Sequence, residues 1–213
     1  MKSKLFLFLF LTVFSLNVYA HGSAAANVFY DVQWTPVNIS IFPLHLFSPS
    51  HTDVYGMYLS LGIIGIGKNV YGISCGTLAM VISEKSYGIT ASVISVVELN
   101  NGLSLGLLNL GRNNGTTLGL CNLLADNNGI SWGAINLLEN NAGISIGVIN
   151  RMIAGGGKSS GTSIGVANIS KNNIFQLGIY NQSESGLQIG LLNYNPNALI
   201  PWLPLFNFSF DKK

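Results

Sequence analysis

The sequence predicts an all-β protein: a parallel β-solenoid of about ten short repeats of 13–16 residues, with aromatic and proline-rich caps. Three observations predict it. A phrase of eight residues, opening with glycine and closing with asparagine, recurs along the chain; apolar and polar residues alternate inside it; and its asparagine returns at one position in successive copies. Helix is excluded by the alternation and by 25 glycines among 213 residues.

The phrase is clearest from residue 102 onward. Its copies read GLSLGLLN at 102–109, GTTLGLCN at 115–122, GISWGAIN at 129–136, GISIGVIN at 143–150, GTSIGVAN at 161–168, IFQLGIYN at 174–181 and GLQIGLLN at 186–193. Looser copies begin at Gly56, Gly72 and Gly88, and each follows a tyrosine. We call each copy a rung and number its positions from the opening residue, which is position 0.

Within a rung, positions 1, 3 and 5 are almost all apolar, and position 2 is polar nearly throughout. A period of two indicates a β-strand with one buried face. We therefore expect the apolar columns to line the interior and a flat Ser/Thr/Gly face to lie outside.

Position 4 holds glycine or serine in every rung, and we expect a bend or a second surface to leave no room for a larger side chain there. This small-residue column comprises Gly106, Gly119, Gly133, Gly147, Gly165, Gly178 and Gly190.

The asparagine at position 7 bears on the choice between a solenoid and an antiparallel β-barrel. The column comprises Asn109, Asn122, Asn136, Asn150, Asn168, Asn181 and Asn193. In a solenoid, like residues stack about 4.8 Å apart and their amides bond in a ladder; in a barrel, alternate strands reverse and the asparagines divide between two rims. The alternative for the column is that asparagine simply ends each strand as a turn former.

Two further columns favour the solenoid. Tyr55, Tyr71 and Tyr87 recur in register, and the pairs at 113–114, 127–128, 140–141 and 172–173 are typical of short, uniform corners. Outer-membrane barrels alternate short turns with long loops, whereas only the stretch at 154–160 is lengthened here. The antiparallel barrel remains the alternative, with the phenylalanines at 206, 208 and 210 as part of its terminal strand.

The chain divides into four predicted segments: a signal peptide at 1–20, an N-terminal cap segment at 21–53, the repeat domain at 54–193 and a C-terminal cap at 194–213. Lysines precede an apolar run at 5–16, and Val18-Tyr19-Ala20 places small residues before the cleavage point, which is typical of export. An uncleaved anchor is the alternative. Proline marks both caps and blunts an open sheet edge. We expect a periplasmic, outer-membrane or cell-surface protein of a Gram-negative bacterium.

The charge and composition of the chain indicate which kinds of binding partner are expected. Without Lys2 and Lys4, 8 basic residues face 8 acidic ones, so nothing attracts nucleic acid electrostatically. Charged residues make up 8% of the chain, against about a quarter in ordinary domains, while apolar residues make up 48%. A chain so apolar indicates a surface covered by self-association or by membrane.

No catalytic, cofactor or metal site is expected. His45, His51 and Asp53 match no metal signature. Stacking could bring Asp126 and Glu139 together, although such residues are typical of solvated corners. Residues 155–160, GGGKSS, lack the spacing and the helix of a phosphate loop.

The repeat register also predicts the distance between the two cysteines. Cys75 and Cys121 lie three rungs apart, about 14 Å, which no disulfide spans. We expect two free, buried thiols.

The chain resembles the leptospiral-type bacterial surface-repeat proteins. The resemblance is carried by GLQIGLLNYN at 186–195, by the Val-Tyr-Gly openings at 54 and 70, and by WTPVNISIF at 34–42, and it covers nearly all of the chain after residue 20. It implies an exported repeat protein and brings no activity, ligand or site residue with it. The Gly-x-Ser-Ile-Gly phrases are also similar, in shape only, to the β-roll repeats of trimeric adhesin heads.

The expected function is that of a non-enzymatic surface or periplasmic protein whose regular β-face mediates adhesion or self-association with an unknown protein or surface partner. Association with a membrane is compatible with the composition. Two alternatives are a small outer-membrane barrel that forms a pore or an anchor, and ligand or ice binding by the Ser/Thr column.

Overall fold

The computed structural model describes residues 34–41, 44–45, 52–61, 64–76, 80–153 and 160–209. The predicted signal peptide at 1–20 lies outside this part of the chain, as do His51 and most of the 155–160 segment. For the predicted caps at 21–53 and 194–213, the statements below concern only their described residues.

The described residues form strands and no helix, with 79% of the structure in strands. The strands are β1 Trp34–Ile41, β2 Leu44–His45, β3 Asp53–Ser60, β4 Ile64–Gly76, β5 Met80–Ser86, β6 Ile89–Ala91, β7 Ile94–Asn100, β8 Leu103–Asn113, β9 Thr116–Asn127, β10 Ile130–Asn141, β11 Ile144–Met152, β12 Thr162–Ile169, β13 Phe175–Gln182, β14 Gly186–Tyr194 and β15 Trp202–Ser209. They stack in parallel as a β-solenoid of about nine turns, so the predicted solenoid is confirmed and the barrel alternative is wrong.

The register of the stack follows the repeat. Between β9 and β10, for example, Gly119 pairs with Gly133 and Asn122 with Asn136. The ladder of paired residues omits position 5 in each rung from β8 to β14. Each rung therefore has two arms, a first arm at positions 0–4 and a second arm that begins at position 6, with a bend between them.

Both ends of the stack carry strands that depart from the repeat. At one end β15 pairs antiparallel with β14, and its register shifts between Gly190 and Asn193. At the other end β1 adds in parallel to β3 and carries the short antiparallel strand β2 on its outer side. These strands cover the open edges that the first and last rungs would otherwise present.

The expected orientation of the strands is wrong, because the interior is polar and the apolar columns lie outside. The position-2 residues predicted to form an outer face are all buried: Ser74, Thr90, Ser104, Thr117, Ser131, Ser145, Ser163, Gln176 and Gln188. The position-7 asparagines are buried as well. The residues at positions 1, 3 and 5 are half-buried or exposed.

The physical reason for this inversion is the thinness of the coil. The two arms of a rung lie back to back, and the Ser131 hydroxyl donates to the amide oxygen of Asn136 across the interior at 2.8 Å. A gap this narrow admits short side chains and leaves no space for leucine or tryptophan from both arms. Buried polar groups are tolerated where they are hydrogen-bonded, as Ser131 and Asn136 are, and the larger apolar side chains point outward.

Among the described residues, buried large apolar side chains are confined to two places. Val54, Tyr58, Val70 and Val81 form a cluster in the first rungs, and Val97, Leu124 and Leu138 are buried one by one in the second arm.

Candidate functional site

The seven position-7 asparagines form a continuous ladder along the bend. The side-chain nitrogen of each donates to the side-chain oxygen of the next at 2.7–2.8 Å, from Asn109 through to Asn193. At the end of the stack, Asn193 donates to the backbone carbonyl of Leu203 in β15 at 3.1 Å. The ladder thus runs into the terminal strand.

Most of these amides also hold the bend. The nitrogen of Asn136 donates to the Ile146 carbonyl, at position 3 of the next rung, at 2.9 Å, and Asn150 and Asn168 repeat the contact with Ile164 and Leu177. The ladder and the turn, which the sequence presented as alternatives, are therefore functions of the same side chain.

The glycine column lies directly against this ladder. A Cβ atom added to Gly133 would lie 2.7 Å from the Asn122 side-chain nitrogen and 2.8 Å from the Gly119 carbonyl oxygen. Gly147, Gly165, Gly178 and Gly190 meet the same two kinds of neighbour. The column is small because the backbone of one rung and the amides of the ladder occupy the space that a side chain needs.

A second buried asparagine ladder was missed by sequence reasoning. The side-chain nitrogen of Asn100 donates to Asn113, that of Asn113 to Asn127 and that of Asn127 to Asn141, at 2.8–3.0 Å. The Asn-Asn pairs were interpreted only as corners, whereas in the pairs at 113–114 and 127–128 the first member points inward and the second outward. The spacing of 13 to 14 residues between successive members was the signal that could have revealed the ladder.

The tyrosine column stacks in the outer surface. The rings of Tyr55 and Tyr71 lie 4.5 Å apart and those of Tyr71 and Tyr87 lie 4.7 Å apart, nearly parallel. Partial burial, followed by the charges of the two neighbouring phenols, raises the pKa of Tyr71. Trp34 meets Tyr55 edge-on at one end of this stack.

Tyr58, the buried tyrosine of the first rungs, gives a prediction for alkaline stability. Burial raises its pKa to about 12, against a smaller opposing effect of the Ser40 hydroxyl. The unfolded phenol ionises near pH 10 and the folded one does not, so the free energy of unfolding should fall as pH rises from about 10 to 12, by up to about 3 kcal/mol. Urea unfolding of wild type and Tyr58→Phe across this range should show a flatter dependence in the variant.

The matched control is Tyr180→Phe, because the Tyr180 hydroxyl lies outside the core and donates to Gln182. Tyr180→Phe should keep the wild-type slope between pH 10 and 12. Equal slopes in wild type and Tyr58→Phe would contradict the prediction.

The two thiols are free, as the register predicts, but they are half-buried rather than buried. Cys75 and Cys121 lie on the outer side of the rungs with the other apolar columns. Burial raises the pKa of the Cys121 thiol, which lowers its nucleophilicity at neutral pH.

The charged residues form no cluster of three or more His, Cys, Asp and Glu side chains within the described part of the chain. Asp126 accepts from Asn140 at 2.8 Å and pairs with Arg112 at 3.3 Å on the half-exposed surface. Asn140, rather than Glu139, lies opposite Asp126 in the register. This arrangement suits a solvated corner.

The outward side chains of the rungs form a mostly apolar surface. We define the outer wall as positions 1, 3, 5 and 6 of the rungs. No charged residue occurs at positions 0–7 in any of the ten copies. The most exposed column is position 5, at the bend: Leu107 55%, Leu120 60%, Val148 52%, Val166 47%, Ile179 53% and Leu191 66%.

Charge is concentrated on the opposite side of the rung. We define the polar edge as the residues at and immediately before the corner where each rung ends. It carries Asp53, Lys68, Glu84, Lys85, Glu98, Arg112, Asp126, Glu139, Lys171 and Glu184. Of the charged residues in the described repeats, Arg151 lies elsewhere, at position 8 of its rung and closer to the bend.

A shallow apolar groove of about 550 Å³ follows the bend over the last rungs. Its floor is Gly165, Gly178 and Gly190, its sides include Val166 and Ile179, and Leu205 lies at its end. No helix in the described residues is long and apolar enough to span a membrane.

No protein-family model, curated protein or solved structure matches the chain.

Proposed function

We propose that this protein is an exported, non-enzymatic scaffold of a Gram-negative cell envelope, and that it works by association through its outer wall. The signal-peptide pattern at 1–20 supports export. The small number of charged residues, and the placement of nearly all of those in the described repeats at the polar edge, support association rather than catalysis, which needs ionisable groups brought together.

The observation that carries the proposal is the inverted distribution of side chains. Scattered exposed apolar residues are normal in a soluble protein, but a contiguous patch larger than a few hundred Å² indicates a binding surface. The solenoid that carries the outer wall has about nine turns, or about 43 Å at 4.8 Å per rung. The Ser, Thr and Asn side chains that could make the exterior polar lie in the interior of the coil instead.

This observation changes the surface that we assign to association. The Ser/Thr column is buried, so neither a flat Ser/Thr face nor ice binding by that column has support. The fold is not the barrel that a pore would require. The apolar wall takes over the role that sequence reasoning gave to the polar face.

A charge placed on the bend tests the proposal. We expect wild type to require detergent or to elute as an assembly, and the triple variant Leu120→Lys, Val148→Lys, Ile179→Lys to elute as a detergent-free monomer, because all three side chains are exposed in the outer wall. Size-exclusion chromatography with light scattering measures the difference.

The control adds the same charge to the polar edge, with Asn114→Lys, Asn128→Lys and Ala142→Lys, which are exposed corner residues. This variant should behave as wild type. A wild-type protein that is strictly monomeric without detergent and binds no surface would rule the proposal out.

A further inference from the structure

We infer that the outer wall is covered by the acyl chains of lipids, with the solenoid axis lying in the plane of the membrane and the polar edge among the headgroups. The inference rests on the proposed association through the outer wall and names its partner. Three features of the described repeats support it: the placement of charge, the position of the most exposed apolar column, and the width of the rung.

The placement of charge matches an interface between hydrocarbon and water. Charged residues are absent from positions 0–7 in every copy, and the polar edge holds nearly all of those in the described repeats. A charge in hydrocarbon is unfavourable by several kcal/mol, so a wall that contacts lipid must be free of charge over its whole length. A wall without charge can enter hydrocarbon without this penalty. Because the charged residues lie at one edge, the solenoid can meet the interface between hydrocarbon and water in only one orientation.

The bend distinguishes lipid from a second copy of this chain. A flat copy can cover one arm, but the position-5 column projects from the narrow bend between the arms and exposes more of its surface than positions 1, 3 and 6 generally do. Sheet-to-sheet packing would leave Leu120, Ile179 and Leu191 in water. A fluid hydrocarbon phase covers the bend and both arms together.

The dimensions of a rung agree with one leaflet. An arm of five or six residues extends about 16 Å, close to half of the roughly 30 Å hydrocarbon core of a bilayer. Backbone hydrogen bonds run between rungs, as from Leu107 to Val93 and from Ile130 to Gly115, so they lie along the wall and need no water. The shallow groove over Gly165, Gly178 and Gly190 offers an apolar surface to an extended acyl chain.

Flotation with vesicles tests the inference. We would mix the purified chain, in the form that cells produce, with vesicles of phosphatidylcholine, whose headgroup has no net charge. Wild type and the polar-edge control Asn114→Lys, Asn128→Lys, Ala142→Lys should float with the vesicles. The wall variant Leu120→Lys, Val148→Lys, Ile179→Lys should partition at least about tenfold less, because three charges must enter hydrocarbon.

A second readout reports where the wall lies. Trp132 is at position 3 of the wall and is 58% exposed. In a chain with Trp34→Phe and Trp202→Phe, its emission should shift to shorter wavelength on vesicle binding, and lipids brominated along the acyl chain should quench it more than lipids brominated near the headgroup. Circular dichroism and thermal unfolding should be alike in the two triple variants, which separates loss of binding from loss of fold.

The outcomes separate this inference from the proposed function. Soluble assemblies that do not float, and that the wall variant reduces to monomers, would overturn the lipid assignment and leave association through the wall intact. Wild type that neither floats nor assembles would overturn both. Flotation that the wall variant retains would place the contact elsewhere and would also overturn the inference.

Discussion

Replacing Asn136 by alanine is expected to lower the free energy of unfolding by about 4 kcal/mol or more. The side chain takes part in four hydrogen bonds of 2.7–2.9 Å, with Asn122, Ser131, Ile146 and Asn150. Each buried partner left without a bond loses about 1–3 kcal/mol. Since a whole domain is stable by only about 5–15 kcal/mol, thermal or urea unfolding should detect the loss readily.

The matched control is Asn128→Ala in the adjacent corner. Asn128 is exposed, and its amide donates to one neighbour, Asn114, at 3.0 Å. This substitution should change the free energy of unfolding by no more than about 0.5 kcal/mol. Similar losses in the two variants would show that the ladder does not determine stability, and that the recurrence of asparagine reflects turn formation alone.

The fold and the register were predictable because the repeat is nearly identical from rung to rung. A residue such as Asn122 that recurs at one position gains from its copies only if they lie on top of one another, so the columns themselves indicated parallel stacking. These inferences needed no information on the width of the coil.

The orientation of the rungs was predicted wrongly because a period of two is symmetric. Alternation tells which residues share a face, but it does not tell which face is inside, and the usual assignment of apolar residues to the interior fails in a coil too thin for them. The glycine column indicates which face of the strand is inside. Gly133 at position 4 shares its face with Ser131 at position 2, and a face with no room for a side chain is the inner one.

The second asparagine ladder was missed for a related reason. Asn113 and Asn114 look alike in a list of corner residues, and only their opposite directions in the structure distinguish the buried Asn113 from the exposed Asn114. The alternation of inward and outward side chains is interrupted at a corner. The direction of a corner residue therefore cannot be inferred by counting from the strand before it. The outer wall could not be predicted either, because it depends on which residues face the interior.

Gly147→Ala is expected to be among the most damaging single-methyl additions in the repeats, with a loss of about 3 kcal/mol or more in the free energy of unfolding. The added Cβ would overlap with the carbonyl oxygen of Gly133 in the preceding rung and lie 2.8 Å from the Asn136 side-chain nitrogen. Overfilling a packed interior generally loses about 1–3 kcal/mol. Here the obstacle is backbone, so relief requires two rungs to separate and their hydrogen bonds to lengthen.

The same substitution at Gly67 provides the comparison. A Cβ at Gly67 would make ordinary contacts, 3.6 Å from Val70 and 4.0 Å from Tyr58, and it restricts the unfolded chain, so Gly67→Ala should be neutral or stabilise by about 0.5 kcal/mol. Urea unfolding of both variants gives the difference directly. If Gly147→Ala were as stable as Gly67→Ala, the rungs could not be stacked as closely as the glycine column requires, and the polar interior would lose its physical explanation.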